Sequence, residues 1–212
     1  MKAFLTTCLT CLSLWSLLAA PAKAAEVNWQ EIKDLTTYNL EEVQGNLVQA
    51  LLFTDGQGQG LVVLTESAII QELDEYGYEI QSKDIYAYGY RLVESKAHLI
   101  WRLTDFTRHC DLDGFDAAFI VEGLKLTDLD NNGIAEIWVP YILSCQGDPG
   151  PMTMKIIMYE GAQKYALRGQ TRSWVTMDLR EGGENNPDQA FISGPAEFLS
   201  FARDLWNEHM YK

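Results

Sequence analysis

Thr127-Asp128-Leu129-Asp130-Asn131-Asn132-Gly133-Ile134-Ala135-Glu136-Ile137-Trp138 is the stretch around which the rest of the chain is organised. Oxygen-bearing side chains recur at alternate positions, Asp128, Asp130 and Asn132; Gly133 follows, and Glu136 returns a carboxylate. When such a loop curls, side chains at i, i+2 and i+4 turn inward together, and a glycine accepts the positive φ of the sharp bend. A hard cation takes six to eight oxygens. The candidate ligands are Asp128, Asp130, Asn132, the Ile134 carbonyl and Glu136, and an all-oxygen set favours Ca²⁺. The competing reading is a turn whose Asx side chains bond their own backbone amides.

Outward from the loop the pattern is β. Phe115 to Leu126 leads in as an apolar strand and Ile134 to Leu143 leads out. A weak likeness lies upstream: Asp55-Gly56-Gln57-Gly58 followed by Leu61-Val62-Val63 parallels Asp130-Asn131-Asn132-Gly133 followed by Glu136-Ile137-Trp138. Each is followed by a hairpin, Tyr86–Trp101 and Lys155–Arg168, so both halves read strand, glycine loop, strand, hairpin. The first copy carries Phe53 and Leu61 where the second has Asp128 and Glu136, leaving only the second equipped for a metal. The expectation is a mainly β (α+β) fold of two antiparallel β-meander units, about 46–106 and 117–171, resembling propeller blades. Two four-stranded units are too few for a closed propeller and should pack together.

The remaining segments fill in around these units. Asn28 to Glu31 has the cap and acid of a short helix that fades near Thr36. Leu47–Phe53 and Gly60–Thr65 read as strands about a glycine-rich turn. Residues 66–83 carry no clear pattern. Asp84–Phe106 reads as a long hairpin with Tyr86, Tyr88 and Tyr90 on one face. Met152–Tyr159 and Lys164–Thr171 form a second hairpin, and 180–190 reads as a polar surface loop. A helix over about 195–209 sets Phe198, Ala202, Leu205, Trp206 and His209 on one stripe, which should dock on a sheet.

Residues 1–24 have the pattern of a cleaved signal peptide: a basic Lys2, an uncharged apolar run from Phe4 to Leu18, and Ala22-Lys23-Ala24. The mature chain, 25–212, is then a single exported domain with no membrane span, periplasmic or extracellular. The net charge of −14 becomes two units more negative once Lys2 and Lys23 are removed. Such acidity argues against nucleic acid or anionic lipid as partners, because phosphate contacts need clustered Lys and Arg. Cys8 and Cys11 leave with the signal, so Cys110 and Cys145 form the single available pair. In an oxidising compartment a disulfide is the default; a thiol activated by the adjacent His109 is the alternative.

The span Asp128–Glu136 resembles the calcium loop of integrin-alpha-type propeller repeats, D-x-D-x-[DN]-G-x-x-[DE]. That resemblance implies Ca²⁺ on Asp128, Asp130, Asn132 and Glu136 with the Ile134 carbonyl. An EF-hand would need Glu at its twelfth position, where this chain has Val139. A broader resemblance rests on Trp101-Arg102-Leu103-Thr104-Asp105-Phe106, Leu126 to Gly133, Cys145-Gln146-Gly147-Asp148, Lys155 to Gly161, and Lys164 to Gln170. These segments are similar to an exported bacterial family labelled surface polysaccharide biosynthesis proteins. It implies an envelope or polysaccharide context and supplies no catalytic residue.

His98, His109 and His209 lack zinc spacing, and no serine elbow, phosphate loop or dinucleotide fingerprint is present. The functional expectation is an exported non-catalytic protein, Ca²⁺-stiffened, binding a polysaccharide or envelope partner. A carbohydrate-active hydrolase is the enzyme alternative. It would draw paired carboxylates from Asp105, Asp113, Glu136 and Asp148. An inhibitor of an envelope enzyme is the third reading. Tyr86, Tyr88, Tyr90, Trp138 and Trp174 are candidates to stack on sugar, with core packing the stronger reading.

Overall fold

In the computed structural model residues 27–211 are described, apart from 95, 175 and 177. The expected signal segment, with Cys8 and Cys11, lies outside the described residues.

Two antiparallel six-stranded sheets face each other. The first contains β1 (Asn28–Glu31), β2 (Asn46–Asp55), β3 (Gly58–Glu66), β4 (Ile70–Leu73), β5 (Glu79–Val93) and β6 (Lys96–Cys110), in the order β1-β2-β3-β5-β4, with β6 also pairing β5. The second contains β7 (Gly114–Phe119), β8 (Lys125–Thr127), β9 (Glu136–Gln146), β10 (Thr153–Glu160), β11 (Gln163–Gln170) and, at its edge, β14 (Asn185–Pro187). Its order is β14-β11-β10-β9-β7, with β8 pairing the start of β9. A short ribbon, β12 (Arg172–Trp174) with β13 (Arg180–Gly182), lies apart from both. Helices α1 (Gln189–Ser193) and α2 (Ala196–His209) close the described chain.

Period-two alternation builds the core. Leu51 and Phe53, Val62 and Leu64, Ile85 and Ala87, and Trp101 and Leu103 point from the first sheet toward the second. Ile137, Val139 and Tyr141 on β9, with Ile157 and Tyr159 on β10, point back. Trp101 stacks flat on Tyr159 with ring centroids 4.1 Å apart. Gly89 makes room for that indole, because a Cβ there would sit 2.1 Å from Trp101 Cε2. A disulfide between Cys110 at the end of β6 and Cys145 on β9 ties the sheets together, its Cα atoms 5.6 Å apart.

Both outer faces are also covered. The alternate residues of the second sheet, among them Trp138, Met154, Ile156, Met158 and Leu167, pack against Phe198, Ala202, Leu205 and Trp206 of α2. The helix stripe read from the sequence is therefore the face that docks. On the first sheet, Ala50, Leu61, Val63, Tyr88 and Tyr90 lie beneath Ile32, Leu35, Tyr38, Leu40 and Val43.

The two expected β units are present and packed together, and each has six strands instead of four. The first gains β1 and β4 at its edges, and the second gains β14 while its incoming strand is broken in two. Residues 121–123 form a 3-10 turn between β7 and β8, so Phe115–Leu126 is not continuous. Residues 28–31, expected as a helix start, form an edge strand registered against Thr54–Leu51 of β2. With four residues and no long amphipathic stripe, ladder pairing outweighs a local cap. Residues 70–73 pair with β5 although their sequence shows no alternation. Residues 180–190, expected as a loop, hold β13, β14 and the start of α1, whose first turn is capped by the Asp188 carboxylate accepting from Phe191 N–H.

Candidate metal centre

The loop 128–135 joins β8 to β9, and the β8–β9 pairing brings its ends together, with Thr127 opposite Glu136. Asn131 and Gly133 both adopt positive φ, +58° and +83°, which curls the loop back on itself. Asn tolerates that conformation better than other side chains, and Gly carries no penalty for it. One carboxylate oxygen from each of Asp128, Asp130 and Glu136 lies within 4.8 Å of the other two. Asp128 and Glu136 are buried, Glu136 completely, and Asp130 is half-buried.

Each carboxylate also organises the loop backbone. Glu136 accepts from Thr127 Oγ1 at 2.6 Å and from Leu129 N–H at 2.9 Å; Asp128 accepts from Gly133 N–H at 3.2 Å. Asp130 accepts from Asn132 N–H at 3.2 Å and from its side-chain amide at 3.0 Å. Trp138 Nε1 donates to Thr127 Oγ1 at 2.8 Å, extending the chain of hydrogen bonds to the buried face of β9. Burial pushes the Glu136 carboxyl up to about 7; Asp130 and Asp128 push the same way, while Thr127 and the Leu129 amide oppose them.

Asn132 and Ile134, the other two expected ligands, are hydrogen-bonded to each other within the loop. Asn132 Oδ1 accepts from Ile134 N–H at 2.7 Å, and its Nδ2 donates to Asp130 and to Glu160 at the end of β10. The Asn132 amide thus ties the loop both to itself and to β10. The donor set fits a hard divalent cation: three converging carboxylates, no nitrogen or sulfur, and a buried acid whose ionisation needs a counter-charge. Asp128, Asp130 and Glu136 are the residues that would hold it.

The first sheet reaches into this loop. The Asp55 side chain is 2 % exposed and makes a bidentate pair with Arg91, at 2.7 and 2.6 Å. It also accepts from Ala135 N–H at 2.9 Å and Gln57 N–H at 2.8 Å. Burial works against the ionised Asp55, and Arg91 with the two amides more than offsets it, holding the carboxyl below its usual value. Nothing in the sequence marks Arg91 as part of the site, and Thr127 opens the 127–138 stretch without being read as a partner of Glu136. Asp55 was legible only as the first residue of the weaker glycine loop.

The carboxylates considered for hydrolysis do not assemble around Glu136. Asp113 and Asp148 lie beside the Gln146 end of β9, and Glu136 begins that strand, ten residues or about 33 Å away. Asp105 is held between them by Lys155 at 2.6 Å and the Tyr141 hydroxyl at 2.8 Å. Among the sugar-stacking candidates, Tyr88, Tyr90 and Trp138 are buried. Tyr86 is half-buried and stacks with Tyr88, whose ring stacks in turn with Tyr90. Trp174 is exposed, with the Arg180 guanidinium 3.7 Å over its ring. His109 is exposed, and the disulfide removes the thiol of the alternative reading.

Compared with known proteins, the chain matches no family model, no curated protein and no solved structure. Among the described residues no helix is long and apolar enough to cross a membrane.

Proposed function

We infer that this is an exported, non-catalytic binding protein whose 128–136 loop takes up Ca²⁺ and thereby stiffens the junction of its two sheets. The observation that carries the reading is the convergence of Asp128, Asp130 and Glu136 within 4.8 Å at a loop already latched to the opposite sheet by Asp55. Three carboxylates this close repel one another, and one of them is fully buried; a divalent cation would relieve both costs. The ion would supply charge neutralisation and rigidity at a carboxylate that is itself fully buried. The disulfide and the signal-like N-terminus support export. The resemblance to envelope proteins supports a polysaccharide or an envelope protein as the partner.

Calorimetric titration of the chain with Ca²⁺, with Asp130→Ala alongside, tests the reading. Saturable heat and a raised Tm in the parent chain, both lost in Asp130→Ala, are expected. No heat and no thermal shift in the parent chain overturns it.

The inhibitor reading has one observation in its favour. The hairpin between β4 and β5 projects Leu73, Tyr76 and Tyr78, each 66 % exposed or more, beside Glu72, Asp74, Glu75 and Glu79. Apolar rings ringed by acid would suit a basic rim around an enzyme cleft.

A further inference from the structure

A second feature borders the carboxylate loop at Thr127, which lines it. Between the β1–β2 edge of the first sheet, the 121–127 segment and α2 is a cleft of about 580 Å³, within the roughly 300–1,000 Å³ typical of small-molecule sites. Its floor is apolar, formed by Leu51, Leu124, Leu126 and Leu205 of the two cores. Trp29 stands at its mouth with 53 % of its surface exposed.

Gln49 makes this cleft more than a gap in packing. It shares the inward face of β2 with Leu51 and Phe53, where the alternation calls for an apolar residue. The β2–β3 register slips between Leu47 and Gln49, so the side chain sits beside a bulge, a device that re-aims side chains. Its Oε1 is buried and has no hydrogen-bond partner among the described residues. A buried acceptor left unmet costs stability and is rarely retained without a donor to meet it. The walls add negative charge. Asp204 and Glu208, one turn apart on α2, line the cleft, with Lys125 the cation among its described lining residues and His209 Nε2 3.8 Å from Glu208.

We propose that this cleft binds a small organic cation, an apolar or aromatic group carrying a protonated amine. The apolar part lies over Leu124 and Leu126, the ammonium donates to Gln49 Oε1 within the field of Asp204 and Glu208, and the Trp29 indole covers it by a cation–π contact. Thr127 lines the cleft, but the inference uses none of Asp128, Asp130 and Glu136, and it stands or falls separately from the Ca²⁺ reading.

4-Phenylbutylamine is the probe, with 4-phenylbutanol and 4-phenylbutyrate as neutral and anionic counterparts, each titrated calorimetrically into the chain with EDTA present. Saturable binding of the amine, at least tenfold weaker binding of the alcohol and none of the acid are expected. Trp29→Ala, a change at an exposed residue, should weaken the amine at least fivefold. The pair Asp204→Asn and Glu208→Gln should bring the amine down to the level of the alcohol. Gln49→Leu should weaken the amine while raising the Tm, an outcome a purely structural glutamine would not give. No saturable binding of the amine at millimolar concentration, equal binding of the acid, or amine binding unchanged in Trp29→Ala and in the double variant would overturn the proposal.

Discussion

The backbone N–H of Gly56 donates to the carbonyl of Gly133 across 2.6 Å, joining the glycine turn of one sheet to the carboxylate loop of the other. These two turns are the segments whose likeness suggests an internal repeat, and they meet face to face. The approach is so close that a Cβ on Gly56 would lie 2.6 Å from the Gly133 carbonyl oxygen. The obstacle is backbone, which cannot swing aside as a side chain could. Gly56→Ala should therefore lose the bond and cost about 2 kcal/mol in urea unfolding. Gly147→Ala, whose new methyl would meet only Leu112 Cδ2 at 3.7 Å, should be neutral.

Asp55 holds the same junction electrostatically. It satisfies a largely buried guanidinium and the Ala135 amide at once. Asp55→Ala leaves Arg91 without its partner and the amide without an acceptor, and should cost about 3 kcal/mol in chemical denaturation. Ala135 immediately precedes Glu136, so the variant should also weaken Ca²⁺ binding in calorimetry, although Asp55 is not among the three converging carboxylates. A Ca²⁺ affinity equal to the parent's would show that the loop holds its shape without the first sheet.

The Cys110–Cys145 bond closes a loop of sequence separation 35 and bridges the two sheets. In the chain-entropy description such a closure stabilises by about 3–4 kcal/mol. The Cys110→Ser, Cys145→Ser double variant should shift the urea midpoint down accordingly with an altered m-value, because the cross-link restricts the unfolded ensemble. Mass spectrometry of the parent chain under non-reducing conditions should show the linked peptides, and two alkylatable thiols would contradict the pairing.

What the sequence disclosed and what it withheld divide along a physical line. The long strands were legible from burial: β6 keeps a period-two pattern, while β9 and β10, covered on both faces, stand out as continuous apolar runs. So was the stripe from Phe198 to His209, for the equivalent reason at helical spacing. Short edge strands were not. Asn28–Glu31 and Ile70–Leu73 are exposed along their whole length, so no burial pattern marks them, and only the neighbouring strand makes them β. In the loop, the alternating acids announced the three carboxylates. The bond of Asn132 to Glu160 depends on β10, some 28 residues away. The Asp55–Arg91 latch is likewise a product of sheet packing that no local spacing encodes.

Glu136 gives the site a pH signature whose sign can be worked out. Its carboxyl titrates near 7 in the folded chain against an ordinary value of 4.5. Between those values the folded state keeps a proton that the unfolded state has released, so raising the pH favours unfolding. Without metal, stability should fall by about 3 kcal/mol from pH 4.5 to 7 and level off above. The depressed Asp55 carboxyl acts in a separate window, its contribution being lost only as the pH drops below the ordinary Asp value of 3.8. Glu136→Gln should flatten the slope between 4.5 and 7 and make the metal-free chain more stable than the parent at pH 8, since no buried charge then forms beside Asp128 and Asp130. Saturating Ca²⁺ should flatten the parent's slope as well, because a cation holding Glu136 ionised replaces the proton, and Ca²⁺ affinity should fall as the pH drops below 7. Urea unfolding at closely spaced pH values, with EDTA and with Ca²⁺, reads all three. A parent slope unchanged by Ca²⁺ would mean that proton and cation do not compete for Glu136, and the ligand assignment would fail with it.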